Sequence, residues 1–249
     1  MRIKILKMDK LKDIWNQILE ESNLKVSAEP ESKNIFSKKI LPFSKFEDAL
    51  SSKLASDLKS DSYSEAFLSS KFSQVFSIKE NLEAALKDIN AVRERDPASQ
   101  GYVLTLLFSK GFAALQAHRA AYFFLTANEE VFSFFLQSKS SEIYGVDIHP
   151  AARIGEGVML DHATGIVIGE TSVVENEVSI FQGVTLGGTG KETGDRHPKV
   201  RQGVLISSGA KILGNVEIGK GAKVAAGSVV LENVEPQTTV AGVPAKVVG

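Results

Sequence analysis

The feature that most constrains the fold of this chain is a strict six-residue repeat toward its C-terminus. Every sixth position over residues 200–230 is aliphatic, namely Val200, Ile206, Ile212, Ile218, Val224 and Val230. Glycine or asparagine, the residues that best tolerate a positive φ, stands three positions after each of them. The same period recurs upstream in residues 148–160 and 168–186. A short strand and a turn in each repeat, with three repeats per 18-residue coil, predict a parallel β-helix whose aliphatic side chains point inward.

The residues before this repeat follow a different pattern, and the change falls near Gly145. Residues 145–249 contain 18 of the 20 glycines, whereas 13 of the 14 phenylalanines precede residue 145. Helical spacing of apolar residues dominates the earlier segment. We therefore predict an all-α N-terminal domain over residues 1–144 and a β-helix domain over residues 145–249.

Apolar residues at helical spacing predict six helices in the first domain. They are Asp9–Glu21, Phe46–Leu58, Ser64–Phe76, Ile78–Arg95, Gly111–Thr126 and Asn128–Ser138, with Asn128 as a candidate N-cap. Residues 24–42 are polar, contain Pro30 and Pro42, and are predicted to form a linker. The aromatic run from Phe123 to Phe135 is assigned to a helix core, with a helix–helix subunit interface as the alternative.

Composition excludes several classes of function. The 29 basic residues balance 30 acidic ones, which argues against a nucleic-acid-binding protein. The absence of cysteine excludes disulfides, thiolate metal sites and a cysteine nucleophile, and no metal site is predicted. We find neither a signal-peptide pattern nor an apolar stretch of transmembrane length, so the expected location is the cytoplasm, with no membrane partner.

The six-residue period is interrupted at two places. Leu160 and Ile168 are eight residues apart, and this interval contains Asp161 and His162. Leu186 and Val200 are fourteen apart, and the longer insertion carries Arg196 and His197. Insertions in a solenoid usually lie on its functional face, so both intervals are candidate site segments.

The residue types in these intervals indicate acid–base chemistry. His162 is a candidate general base because imidazole titrates near neutrality. Asp147 lies 15 residues upstream, close to one coil, where its carboxylate could orient His162. Arg196 and His197 are cations suited to a substrate carboxylate. His118, within the helical segment ALQAHRAAYF, is predicted to be a packed histidine.

The glycine-rich segment TLGGTGKETGDRHPK lacks the spacing of a nucleotide-binding loop. Its backbone N–H groups could instead stabilise the oxyanion of a thioester carbonyl.

Several segments together resemble the serine O-acetyltransferases of the hexapeptide-repeat acyltransferase superfamily. They include DIHPAARIG, LDHATGIVIGET, VTLGGTGK, GDRHPK and AGVPAKVVG, and the similarity runs from about Phe46 to Gly249. The resemblance implies a left-handed β-helix. It also implies transfer of acetyl from acetyl-CoA, as a co-substrate and with no bound cofactor, to the hydroxyl of L-serine in cysteine biosynthesis.

The resemblance further implies roles for individual residues. His162 would take the proton from the serine hydroxyl, and Asp147 would orient it. The substrate-binding residues would be Asp96 and Asp161 for the ammonium group, and Arg196 and His197 for the carboxylate. The acetyl-CoA-binding residues would be Gly187, Gly188, Ser208, Lys223 and Ala226. Ser207, Ser208 and Ala225 depart from residues common in the family along the expected path of CoA.

The resemblance also implies partners. Family members are trimers or dimers of trimers joined through their helical domains, and L-cysteine is the expected feedback inhibitor. The chain stops after AGVPAKVVG, without the tail that enters cysteine synthase in many members, so a complex with that enzyme is not expected.

Three other functions stay open at this point. One is a hexapeptide acyltransferase for a sugar, antibiotic or amine. Another is a zinc β-helix of the γ-carbonic-anhydrase type, although the histidine spacing lacks the short pair expected for it. The last is a scaffold without catalysis.

Overall fold

The computed structural model describes residues 13–190 and 193–249. The chain divides into two compact units between Ser109 and Lys110. Secondary structure changes from helices to short strands between Tyr144 and Val146, so the last two helices belong to the same compact unit as the strands. Among the described residues, no helix is both long enough and apolar enough to cross a bilayer.

The first unit is helical. Its helices are α1 (Ile14–Ala28), α2 (Lys33–Lys39), α3 (Phe46–Leu58), α4 (Glu65–Phe76), α5 (Lys79–Arg95) and α6 (Tyr102–Phe108), with a 3₁₀ turn at Pro30–Ser32. The bounds predicted for α3 are confirmed, and the Ser64 hydroxyl caps α4 by accepting a hydrogen bond from the Phe67 amide. The part of the first predicted helix before residue 13 lies outside the described residues.

One sequence prediction in this unit is wrong, and one helix has no counterpart among the predicted helices. The expected linker at 24–42 is largely helical, because Phe36 is buried and Pro30 occupies the first position of the 3₁₀ turn, where its missing N–H is tolerated. Helix α6 was not predicted. Its N-terminus is capped by a distant group, since the Glu21 carboxylate accepts a hydrogen bond of 2.8 Å from the Val103 amide.

The second unit begins with helices α7 (Lys110–Thr126) and α8 (Glu130–Tyr144), which pack on each other. Phe124 and Phe132 are buried with ring centroids 4.9 Å apart, which confirms that this aromatic run contributes to a core. The prediction that Asn128 caps α8 is wrong. Asn128 has a φ of 61° and lies in the turn before the helix, which starts after Glu129.

The remaining strands are short and form the coils of a parallel β-helix. They are β1 (Val146–Ile148), β2 (Arg153–Ile154), β3 (Met159–Asp161), β4 (Ile166–Ile168), β5 (Val173–Val174), β6 (Ser179–Phe181), β7 (Thr185–Gly187), β8 (Lys199–Val200), β9 (Leu205–Ile206), β10 (Lys211–Leu213), β11 (Glu217–Ile218), β12 (Lys223–Val224), β13 (Val229–Val230), β14 (Thr239–Gly242) and β15 (Ala245–Val247).

Three sheets make the walls of this β-helix. The first has the order β1-β4-β7-β10-β13, the second β2-β5-β8-β11, and the third β3-β6-β9-β12-β14-β15. All pairings within them are parallel except that of β14 with β15. The register aligns Ile148 with Ile168, and Leu186 with both Ile168 and Ile212. These side chains are nearly inaccessible, which confirms the inward positions predicted from the period.

The corners between the third and first sheets form a column that we call the glycine edge, made of Gly165, Gly183, Gly209 and Gly227. All four have φ between 68° and 76°. A Cβ atom on Gly183 would lie 3.5 Å from the Gly209 Cα, so the coils stack closely here. Asn215 does not have the expected positive φ; the preceding Gly214 takes it instead, with φ of 95°.

Candidate active site

The first interruption of the period builds the corner at the head of the glycine edge. His162 and Ala163 follow β3 with φ of 54° and 59°, so two successive residues with side chains occupy the left-handed region. Such residues cost roughly 1–2 kcal/mol each there, and this kind of strain is concentrated at functional sites. Ala163 is buried, whereas His162 projects from the corner as an exposed side chain.

Helix α7 supports this corner from behind. A Cβ atom on Gly111 would lie 2.0 Å from the Leu160 carbonyl oxygen, so only glycine lets the helix approach β3 this closely. The Lys110 ammonium donates a hydrogen bond to the Thr164 hydroxyl in the same corner. The start of α7 therefore fixes the backbone that carries His162.

Asp147 lies in β1, near the same corner. The Gly165 amide donates a 2.7 Å hydrogen bond to the carbonyl of Gly145, two residues before Asp147. The Asp147 carboxylate is half-buried, and its Oδ1 accepts a 2.7 Å hydrogen bond from Gln137 Nε2 on α8. Within residues 13–190 and 193–249, no hydrogen bond or ion pair joins Asp147 to His162.

The second interruption lies at a different column of corners, between the first and second sheets. We call it the His197 edge; it contains His149, residues 169–171, Arg196 and His197. Arg196 forms an ion pair of 2.7 Å with Glu170 Oε2 and also donates to the Gly194 carbonyl. Its hydrogen bond is the main reason why the pKa of the Glu170 carboxyl lies below its usual value.

His197 is almost inaccessible on this edge, with 7% of its surface exposed. Burial, followed by the neighbouring Arg196, lowers the pKa of His197. Both effects favour the neutral imidazole over the imidazolium. Burial also lowers the pKa of His149, whose ring packs edge-on against Phe134.

His118 provides a contrast within the same compact unit. It is buried on α7, as predicted, and burial lowers its pKa to about 3. Its Nδ1 has no hydrogen-bond partner among residues 13–190 and 193–249. This histidine is a neutral packing residue.

The structure sorts the predicted acetyl-CoA-binding residues into two groups. Ser208 and Ala226 lie one coil apart on the glycine edge, where the Ser208 carbonyl accepts a hydrogen bond of 2.8 Å from the Gly227 amide. Gly187 is the last residue of β7 and Gly188 follows it, at the opposite edge of the first sheet. A Cβ on Gly188 would lie 3.4 Å from the Arg196 carbonyl oxygen. Lys223 is exposed on β12 in the third sheet.

The predicted substrate-binding residues are also divided. Asp161 lies next to His162, at the end of β3. Arg196 and His197 lie on the other edge of the first sheet. Gly165 and Gly169, which mark the two edges, are four residues apart along a strand, or about 13 Å. Asp96 belongs to the first compact unit, where its Oδ1 accepts a hydrogen bond from the Ala98 amide.

No group of three histidine or carboxylate side chains is arranged to hold a metal ion in the described part of the chain.

Comparisons with known proteins decide the family. Residues 14–117 match the model of the serine acetyltransferase N-terminal domain, and residues 197–232 match six bacterial transferase hexapeptide repeats. The serine acetyltransferase of Escherichia coli (strain K12) is 48% identical over 242 residues, which cover 97% of this chain and 89% of the relative. The chain belongs to the serine acetyltransferase family.

Solved structures of serine acetyltransferases agree in fold. The protein from Brucella abortus strain S19, in complex with coenzyme A, gives a TM-score of 0.94 at 46% identity and covers 97% of each chain. The soybean enzyme complexed with serine gives a TM-score of 0.92 at 47% identity, over 94% of this chain and 97% of that one. The predicted hexapeptide β-helix architecture is confirmed.

Sequence reasoning missed three residues that contact the candidate site residues. Glu170 and Thr171 lie within the segment LDHATGIVIGET, which marked the resemblance but assigned neither of them a role. Gln137 lies on α8 with no local sequence signal. Its partner Asp147 is ten residues away, and only the turn from α8 into β1 brings the two side chains together.

Proposed function

We propose that this chain transfers the acetyl group of acetyl-CoA to the hydroxyl of L-serine, giving O-acetyl-L-serine and CoA. The observation that carries the proposal is the exposed His162 at the head of the glycine edge, the edge that also holds Ser208 and Ala226. A base at one end of this column suits a long co-substrate that lies along the edge with its thioester beside the base. The named complexes of relatives with coenzyme A and with serine support the same reaction.

The chemistry follows from His162 as a general base. Its imidazole takes the proton of the serine hydroxyl while the oxygen attacks the thioester carbonyl carbon. The tetrahedral intermediate then collapses, the C–S bond breaks, and the imidazolium returns the proton to the leaving thiolate. Asp147 stabilises the imidazolium in this scheme. The chain contains no cysteine, so the acetyl group passes directly to serine without an acetyl-cysteine intermediate.

Substrate recognition uses charge. Arg196 and His197 bind the carboxylate of serine, and Asp161 and Asp96 bind its ammonium group. L-Cysteine carries the same two charged groups as serine. We therefore expect it to inhibit by occupying the serine site.

A second copy of the chain completes the site in this proposal. The two edges of the first sheet are about 13 Å apart, whereas the hydroxyl and carboxylate of one serine are much closer. A trimer in which the His197 edge of one copy faces the glycine edge of the next would bring His162 and Arg196 to the same substrate. Residues 1–144 would serve as the oligomerisation domain that joins trimers, beside a catalytic domain at 145–249, and the reaction would take place in the cytoplasm.

The test is a thiol-release assay with acetyl-CoA, with and without L-serine. We expect CoA release that requires L-serine and is lost in His162→Ala. Glu177→Ala is a matched control, because Glu177 also occupies a left-handed corner, with φ of 62°, but has no proposed role. Full activity of His162→Ala would contradict the role of His162, and CoA release that is indifferent to serine would contradict the function.

A further inference from the structure

The corner formed by residues 169–171 holds the His197 ring in one orientation. The Thr171 amide donates to His197 Nδ1 at 3.2 Å, and the Thr171 hydroxyl oxygen lies 2.9 Å from the same nitrogen. On the other side, a Cβ atom on Gly169 would lie 2.1 Å from His197 Cδ2 and 2.2 Å from Nε2. The ring therefore fits between Thr171 and a glycine that leaves just enough room for it.

Donor and acceptor roles at Nδ1 follow from chemistry. A backbone amide can only donate, so Nδ1 must offer a lone pair and cannot carry a proton while this bond exists. The proton of the neutral ring is then on Nε2. Nε2 has no hydrogen-bond partner among the residues that the structure describes.

The Thr171 hydroxyl is fully used in the same arrangement. Its oxygen accepts hydrogen bonds of 3.1 Å from the amides of Arg196 and His197, which occupy both lone pairs. Its side chain also forms a hydrogen bond with the Asp195 carboxylate, which contributes to the lowered pKa of that group. The nearby Asp195 carboxylate is held by Lys199 at 2.6 Å. One side chain thus fixes the backbone of both residues that the proposed function assigns to the carboxylate.

We propose that Thr171 is a positioning residue that holds His197 as the neutral tautomer with its proton on Nε2, so that His197 offers the substrate carboxylate a directed N–H donor and Arg196 alone supplies the positive charge. This inference rests on the proposed function for the identity of the substrate. The tautomer itself does not depend on it.

A neutral donor is also the less costly choice at this place. His197 is nearly buried, and an imidazolium there would lose hydration beside the Arg196 guanidinium. A neutral N–H still makes a charge-assisted hydrogen bond, because the carboxylate carries the charge.

The tautomer can be read directly by nuclear magnetic resonance. The chain has four histidines, so protein labelled with ¹⁵N-histidine gives a simple long-range ¹H–¹⁵N spectrum, and His197→Gln identifies the His197 signals. At pH 7.5 we expect His197 to show a protonated Nε2 and an unprotonated Nδ1. A protonated Nδ1, or protons on both nitrogens, would overturn the proposal.

Kinetics test the positioning role. Thr171→Val keeps the shape of the side chain but removes the hydroxyl, and we expect the KM for L-serine to rise about tenfold, with the KM for acetyl-CoA unchanged within about twofold. Thr171→Ser restores the hydroxyl and should restore the KM for L-serine. Thr185→Val is the matched control, because Thr185 lies on β7 and its hydroxyl accepts from Lys211 instead; both KM values should stay unchanged.

The outcomes distinguish a failure of the positioning role of Thr171 from a failure of the proposed function. An unchanged KM for L-serine in Thr171→Val, or an equal rise in both KM values, would overturn the positioning role. If the unaltered protein releases no CoA with L-serine, the proposed function fails, and the spectrum still decides the tautomer. If Thr171→Val does not fold, Thr171→Ser and the spectrum of the unaltered protein keep the test decisive.

Discussion

The regular corners of the β-helix and its two interrupted corners are built from different residues. Gly203, Gly221 and Gly227 occupy regular corners with φ between 68° and 71°, where glycine adopts the left-handed conformation without cost. The first interrupted corner places His162 and Ala163 in the same conformation in succession. Corners that only reverse the chain direction use glycine. The corner that carries the proposed catalytic residue instead holds residues with a Cβ atom in the left-handed region, at a cost in backbone strain.

Left-handed backbone alone does not mark the site. Glu177 and Gln237 also turn corners with φ of 62° and 58°. What distinguishes the first interruption is the pair of successive residues together with the break in the period. The second interruption differs again, because its backbone is held by hydrogen bonds that the amides of Arg196 and His197 donate to the Thr171 hydroxyl.

The largest expected effect is at His162. His162→Asn removes the base but keeps a residue that tolerates the left-handed region, so kcat should fall about a thousandfold. The free energy of unfolding should not fall, because asparagine relieves strain at this φ. Steady-state CoA release and urea unfolding measure the two quantities. A variant that unfolds more easily and keeps its turnover would mean that this corner is structural.

The next largest effect is at Gly169. Gly169→Ala places a Cβ where the His197 ring now lies, so the ring must move. We expect kcat/KM for L-serine to fall about a hundredfold, with the KM for acetyl-CoA little changed. Kinetics at varied L-serine and fixed acetyl-CoA provide the measurement. Unchanged serine kinetics would show that the position of His197 does not matter.

Gly203→Ala tests a regular corner in the same way. A Cβ there would meet no atom of the described part of the chain within 4 Å, but φ is +71°. We expect the free energy of unfolding to fall by about 1 kcal/mol with no change in kcat. Urea unfolding and the thiol-release assay check both. A loss of turnover without a loss of stability would remove the contrast between the two classes of corner.

The smallest effect is at Glu170. The hydrogen bond from Arg196 lowers the pKa of this carboxyl in the folded protein. The pair therefore stabilises the fold fully above the unfolded pKa of 4.5, and this stabilisation is lost as the pH falls through the lower folded pKa. Both side chains are partly exposed, at 31% and 43%. Glu170→Gln should therefore reduce the free energy of unfolding by less than about 1 kcal/mol at pH 7.

Urea unfolding at pH 7 and at a pH well below 4.5 measures this difference. We expect it to shrink at the lower pH. A difference that grows on acidification would contradict the ion pair as its source.

The β-helix could be predicted from the sequence because its pattern is local and repeated. The six-residue period alone identifies the residues that point inward, such as Ile168. The sequence could not predict α6, whose cap comes from Glu21 about eighty residues earlier. It also placed Asp147 near His162 by counting one coil. The coil count could not supply the hydrogen bond from Gln137, because that contact depends on how α8 leads into β1.

The proposed protonation state of His197 could not be predicted from the sequence for a related reason. The motif GDRHPK identifies a histidine and an arginine, and their charge at neutral pH is the natural first assumption. Only the amide of Thr171, 26 residues away along the chain, reveals which nitrogen holds the proton.

The pairing of β15 with β14 has a consequence for association between molecules. A stack of parallel coils offers at its last turn a row of unpaired amides and carbonyls, onto which a strand of another molecule could add. Here the chain reverses, and residues Ala245–Val247 cover the outer side of β14 in antiparallel register. This edge of the third sheet is therefore already hydrogen-bonded within the molecule, and a strand of another molecule could pair with β14 here only by displacing β15.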